Sequence, residues 1–191
     1  MKKIFLASQS PRRSQLLEKA GISFHLLPIT TSEKVDKKLM IDAQILSITR
    51  QKLVEAEKST LVQEGTNSII ICADTEVIFN DVLLGNTKNE ADAFHTLEKL
   101  SGHQHFVKTG YILKNSSTKK EVSHIETSIV RFKKLTEQEI LNYISTGEPM
   151  DKAGSYGIQG LGSKLVENFD GLMSNIIGLP IEKLTLDLEK M

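Results

Sequence analysis

Tryptophan is missing, cysteine occurs once, and the charges cancel: 24 lysines and arginines stand against 24 aspartates and glutamates in 191 residues. Each shortage excludes something. A lone Cys72 cannot close an internal disulfide, and its place in an apolar run makes it core rather than reactive thiol. Zero formal charge argues against a general nucleic-acid binder or a polybasic membrane protein, while leaving room for a local basic cluster. The lack of tryptophan counts further against single-stranded nucleic acid, which is usually gripped by stacking platforms and basic grooves. No apolar run approaches the ~20 residues needed to span a bilayer. Met1-Lys2-Lys3 followed by Ile4-Phe5-Leu6-Ala7 is too short for a signal peptide's apolar core, so a cytoplasmic location is expected. There is no internal repeat, low-complexity tract or long linker. The length suits one full domain, or two small lobes sharing a cleft.

What is present begins with residues 4–24, IFLASQSPRRSQLLEKAGISF. Ile4 to Ala7 reads as a buried strand. Ser8-Gln9-Ser10 is a polar turn, Ser10 an N-cap and Pro11 the first helical position, with Leu16, Leu17 and Ala20 on one apolar face. Gly21 supplies the left-handed stop. Arg12 and Arg13 then fall in the first helical turn, where the dipole disfavours positive charge by about 0.3–1 kcal/mol each. Two readings stand: both point into solvent, or both converge with free backbone N–H groups on a bound anion.

Further along, residues 22–27 read as a second strand, and the polar stretch 30–38 as a loop in which Glu33 is by itself an ordinary solvated charge. Residues 40–63 carry a helical pattern, with Ile41, Ile45 and Ile48 in one stripe. That stripe continues onto Lys52, which must either snorkel or meet an anion. Ile69 to Ala73 reads as a central strand buried on both faces, ending at Asp74-Thr75-Glu76. In open α/β sheets ligands bind beyond the carboxyl ends of strands, so Asp74 is better explained by metal binding or base catalysis than by packing. Asn80-Asp81 reads as a hairpin turn, and Thr87-Lys88-Asn89-Glu90 as a capping box opening a helix with Ala93, Leu97 and Leu100 inward. Two extended segments, 105–113 and 121–133, read as a long antiparallel hairpin. His103 and His105 are spaced like a metal pair, but with no acid or cysteine close by in sequence a structural or surface role is expected. Thr136 to Glu139 is a second capping box, with Ile140, Tyr143 and Ile144 inward. The glycines at 154, 157, 160 and 162 suggest tight turns and close approach to a ligand, without matching a known phosphate-loop pattern. Leu184 and Leu188 mark a docked terminal helix.

Two arginines at a helix start, an inward lysine, an acid at a strand end, a loop carboxylate and a glycine-rich segment with Gln159 together suit an anionic ligand, such as a triphosphate, carried with a divalent cation. The stretches ASQSPRRSQLLEKAG, CADTEV, LSGHQHFVKTG, GEPMDKAGSYGIQG and NIIGLP resemble, in order and over nearly the whole chain, the Maf family of nucleoside triphosphate pyrophosphatases. The resemblance implies an α/β fold with a mixed sheet, similar to the inosine triphosphate pyrophosphatases, forming a single domain (1–191) of two lobes around a central cleft. It implies hydrolysis between the α- and β-phosphates, dependent on Mg2+ or Mn2+, and it suggests a homodimer. By the same resemblance Asp74 is the proton acceptor and Glu33 the second cleft carboxylate, both near the metal. Ser8, Arg13 and Lys52 line the phosphate site. Arg12, Thr75 and Gln159 match the set of the branch acting on dTTP and UTP, and a glutamine amide can both donate to and accept from a pyrimidine edge.

One position departs from the pattern. Where the family reads glycine-lysine-proline, this chain reads Gly85-Asn86-Thr87, so Asn86 offers substrate a hydrogen bond but no charge. Lys88 follows two residues on, and Glu76 is unusual after the aspartate-threonine pair. The departure motivates a second expectation: a nucleotide-binding regulator with weak or no turnover, linked to septum formation.

Overall fold

Strand β1 (Lys3–Leu6) forms at the first apolar run and lies parallel to both neighbours, β2 (His25–Leu26) and β3 (Ser68–Phe79). The computed structural model describes residues 2–63, 67–150 and 152–191. Met1 and Asp151, which belong to stretches singled out above, lie outside the described residues. Between the strands run α1 (Pro11–Lys19), α2 (Ile41–Ala56) and α3 (Thr60–Gln63). After β3 come β4 (Val82–Leu83), α4 (Glu90–Leu100), β5 (Gln104–Asn115), β6 (Glu121–Phe132) and α5 (Glu137–Ile144). A 3-10 turn (Leu161–Leu165), β7 (Val166–Asp170), α6 (Met173–Ile177) and α7 (Ile181–Glu189) complete the chain. Among the described residues the sheet has seven strands, in the order β2-β1-β3-β5-β6-β7 with β4 also paired to β3. It is mixed, since β3/β4 and β6/β7 are antiparallel. The short link 116–120 between the hydrogen-bonded neighbours β5 and β6 admits only the antiparallel hairpin expected from sequence. The α/β class with a mixed sheet is as expected.

The chain divides into two compact units: Met1–Asp74 with Thr109–Glu126 and Gly178–Met191, and Thr75–Lys108 with Thr127–Ile177. In the first unit Phe5, Leu53, Ala56, Ile70, Cys72 and Ile112 form a buried cluster. Burial pushes the Cys72 thiol up to about 12, which leaves it inert at neutral pH. Helix α1 buries Leu16 and Leu17 as its pattern predicts, but ends one residue early, so Ala20 is an exposed C-cap rather than part of the apolar face. Gly21 takes the left-handed stop, with φ +70°. The long helix expected over 40–63 is broken after Ala56, where the amides of Lys58 and Ser59 fold back in tight turns onto Glu55 and Ala56. The second strand is shorter than expected, two residues against the predicted six, because its pairing with β1 covers only His25 and Leu26.

The second unit packs Val77, Leu97, Leu100, Val107, Phe132 and Ile140 into its own core. Asn80 and Asp81 both adopt positive φ between β3 and β4, as a two-residue hairpin turn requires. The Thr136–Glu139 capping box is present in full. The other is not: Asn89, not Thr87, caps α4 by accepting the Asp92 amide, while the Thr87 hydroxyl pairs with that of Ser155 at 2.7 Å.

His105 is structural, as expected. It is 1% exposed, its Nε2 lies 2.8 Å from the Tyr156 hydroxyl, and its ring meets Phe132 and Tyr156 edge-on. Burial lowers its pKa from 6.5 to about 4. The unfolded chain therefore binds this proton more readily, so the stability His105 contributes is complete above about pH 6.5 and is lost as pH falls through 4. The shift corresponds to about 3 kcal/mol. Urea unfolding at pH 7 and pH 4 is expected to differ by about that much less in His105→Phe than in wild type. An unchanged difference would count against a neutral buried imidazole.

Candidate active site

The turn after β1 is pinned by the Ala7 amide on the Ile71 carbonyl (2.9 Å) and by the Leu27 amide on that of Leu6 (2.9 Å). This delivers Ser8, buried, to the start of α1. Ser10 holds the N-cap place and Pro11 the first helical one, but the Ser10 side chain makes no cap; its amide instead donates to Ser8 Oγ at 3.1 Å. Arg13 occupies the inward position one turn before Leu16 and Leu17 and is 9% exposed. It donates from Nη1 to Ser8 Oγ (3.3 Å) and from Nε to the Gly178 carbonyl (2.8 Å). Burial lowers the Arg13 pKa, and the Asp74 carboxylate opposes that effect. A guanidinium so placed remains charged. The reading in which both arginines point into solvent does not hold for Arg13, which is buried; Arg12 beside it is half-buried.

Asp74 lies inside β3, not at its end, which corrects the strand boundary expected from sequence: β3 runs without interruption through Asp74-Thr75-Glu76 to Phe79. The strand end that places Asp74 is that of the neighbouring strand instead. Pairing with β1 stops at Leu6 opposite Ile71, so Asp74 stands three residues past the carboxyl end of β1. Its Oδ1 accepts from Lys52 Nζ at 2.5 Å, and the same ammonium lies 2.9 Å from Glu33 Oε1. Lys52 therefore does not snorkel away. The three side chains are 14% (Lys52), 8% (Asp74) and 40% (Glu33) exposed, so a nearly dry pair meets a carboxylate open to solvent. The Glu33 loop is held in place by Gln51, whose amide exchanges two 2.9 Å hydrogen bonds with the Lys34 backbone. Neither Gln51 nor the Gly178 carbonyl was singled out from sequence. Gln51 adjoins Lys52, but its partner is 17 positions away.

Five predicted residues are thus brought together in the first unit: Ser8, Arg13, Glu33, Lys52 and Asp74. The other predicted positions Thr75, Asn86 and Gln159 belong to the second. There Asn86 is exposed and forms an antiparallel bridge with Ala153, Lys88 is exposed, and Gln159 sits exposed in the glycine-rich segment. The close approach predicted for Gly160 and Gly162 is made by the chain's own Glu148 and Tyr143 rather than by a ligand space.

The donor set suits a hard cation carried with phosphate. Among the described residues no group of three or more histidines, cysteines or acids gathers into a metal cage. Asp74 Oδ2, however, is buried without a hydrogen-bond partner among the described residues. The two carboxylates that share one ammonium, Asp74 through Oδ1 and Glu33 through Oε1, match the magnesium habit of taking one or two carboxylates and completing its shell from water and substrate.

The fold agrees with the family to which the chain is similar. The Maf-like protein family model matches residues 3–191, across both units, and the chain belongs to that family. It is 50% identical over 179 residues to a protein of Bdellovibrio bacteriovorus, covering 94% of this chain and 93% of the relative. A protein of Caldicellulosiruptor bescii is 40% identical over all of this chain and 96% of its own length. One from Clostridium perfringens is 42% identical over 98% of this chain and 96% of the relative. All three carry the name dTTP/UTP pyrophosphatase. Among the described residues no helix is long and apolar enough to cross a membrane.

Proposed function

We propose that this chain is a cytoplasmic nucleoside triphosphate pyrophosphatase that hydrolyses dTTP and UTP to the monophosphate and pyrophosphate. The observation that carries the reading is the buried Asp74 Oδ2, without a hydrogen-bond partner among the described residues, in the carboxylate that meets the ammonium of Lys52, in a chain 50% identical to a relative named for that reaction. In this reading Asp74 Oδ2 takes a proton from the attacking water as its oxygen bonds to phosphorus and the α,β anhydride opens. Pyrophosphate leaves, and Asp74 returns the proton to solvent. Arg13 and Lys52 offset the charge gathering on the phosphate oxygens, with Ser8 and Asn86 as hydrogen-bonding groups. Mg2+ or Mn2+, held by Asp74 and Glu33, would supply further charge neutralisation. Arg12, Thr75 and Gln159 set the preference for a pyrimidine base. We read residues 1–191 as one functional domain acting in a homodimer, which sedimentation of the full chain tests directly.

The deciding experiment incubates the purified protein with a panel of nucleoside triphosphates and Mg2+ or Mn2+ and measures pyrophosphate. Turnover of dTTP and UTP is expected; no turnover of any triphosphate would overturn the reading. Asn86 favours one alternative, a nucleotide-binding regulator with little catalysis, because it is exposed and uncharged where the family carries lysine. Calorimetry beside the assay separates the two, since tight binding without hydrolysis belongs to the regulator. Asn86→Lys is expected to raise the rate about tenfold or more, as a cation facing developing charge would. An unchanged rate would mean that position 86 does not face the phosphates.

A further inference from the structure

Glu148 stands out in the sequence only as one acid of the glycine-rich stretch, yet its carboxylate gathers three hydrogen bonds. Oε2 accepts from the Leu161 amide (2.8 Å), and Oε1 accepts from the Gly162 amide (3.0 Å) and from the Tyr143 hydroxyl (3.0 Å). The Tyr143 oxygen in turn accepts from the Gly157 amide at 3.1 Å. Both ends of segment 157–162 are thereby fastened to one acid–phenol pair. Tyr143 is itself rigid, a core side chain of the capped helix α5. Partial burial works against the ionised form of Glu148, but the two backbone amides and Tyr143 outweigh it and hold its pKa below the usual carboxylate value.

The glycines follow from the same geometry. A Cβ at Gly160 would stand 2.5 Å from Glu148 Oε2, and one at Gly162 would stand 2.6 Å from both the Tyr143 hydroxyl and the Gly157 carbonyl. Small residues are needed there so that the backbone can close over the acid. Residues 159–161 of this closed turn are exposed, and of these Gln159 alone carries a hydrogen-bonding side chain.

We infer that Glu148 is a positioning residue for base selectivity: its carboxylate fixes the turn 157–162 and, through it, the amide of Gln159. The inference rests on the reading of Gln159 as a base-contacting group. Glu148 itself touches no reacting atom. A carboxylate suits the task because it accepts on both oxygens, whereas a glutamine in its place turns one N–H donor against a backbone N–H.

The test measures kcat and KM for dTTP, UTP and GTP with the full chain, comparing wild type, Glu148→Ala, Glu148→Gln and Gln159→Ala. Glu148→Ala is expected to raise KM for dTTP more than it lowers kcat, and to cut the preference for dTTP over GTP by roughly tenfold. Glu148→Gln, which keeps one acceptor, is expected to fall between it and wild type. A purely structural role would lower the thermal midpoint and kcat without moving the ratio between bases. Wild-type selectivity in folded Glu148→Ala overturns the inference; if that variant does not fold, wild-type selectivity in Glu148→Gln overturns it equally. Loss of selectivity in the Glu148 variants with none in Gln159→Ala keeps Glu148 as the residue that sets the turn and removes Gln159 as the reader. Loss in Gln159→Ala alone leaves the reader and removes Glu148.

Discussion

Asp74→Asn is expected to lower kcat for dTTP hydrolysis by about 10²–10⁴-fold, the range that a positioned general base supplies. The substitution is nearly isosteric, and a carbonyl oxygen can still accept from Lys52. What it removes is proton affinity at the position of Oδ2, the buried atom without a hydrogen-bond partner among the described residues. Nucleotide binding should survive much better than turnover, because Arg13 and Lys52 remain. Pyrophosphate release measured beside calorimetric binding distinguishes loss of chemistry from loss of affinity. A variant that binds and turns over like wild type would show that another group takes the proton.

Lys52→Met is expected to have the second largest effect, and to show it before any substrate is added. Lys52 is the shared partner of Asp74 and Glu33, at 2.5 and 2.9 Å. Methionine keeps the stem and deletes the cation, leaving a nearly dry carboxylate beside a second one. Breaking a fully buried pair in this way costs about 3–5 kcal/mol. Here Glu33 is 40% exposed, and water moderates the loss to about 2–3 kcal/mol. Urea unfolding measures it directly. Because the ammonium competes for the same oxygens that would hold a divalent ion, Mn2+ alone should raise the thermal midpoint of Lys52→Met more than that of wild type. An equal response in both proteins would mean that Lys52 and the metal use different oxygens. Turnover is expected to fall as well, since the proposed role of Lys52 is to offset charge on the phosphates.

How much of this was legible in the sequence depends on how local each cause is. Both ends of α1 were readable because Pro11 and Gly21 act on their own neighbours, although the Ser10 side chain makes no cap. So were the Thr136 cap and the Asn80-Asp81 turn. The errors at Asp74 and Thr87 share one source, a partner far away in the chain. An acid in an apolar run looks like a strand end, but β3 passes through Asp74 because Lys52, 22 positions earlier, supplies the opposite charge. Thr87 has the spacing of a capping residue, yet Lys152 and Ser155 claim it and leave Asn89 to do the capping. The break after Ala56 has no glycine or proline to announce it. In the site, Lys52 was found by extending a helical stripe, whereas grouping Glu33 and Asp74 needed the family resemblance, because no pattern within either stretch points to the other. Glycines 160 and 162 signalled close approach correctly but gave the wrong neighbour, since Glu148 is a plain acid until the turn closes on it.

The chain crosses between its two compact units at 74/75, 108/109, 126/127 and 177/178. Neither unit is therefore a continuous stretch of gene, and no single cut releases one of them whole. Exchanging the part that carries Gln159 between relatives would require splicing at several points at once, and doing so within strands β3, β5 and β6 rather than in loops. New base preferences in this architecture are thus more accessible through point substitutions on an inherited frame than through the shuffling of ready-made modules.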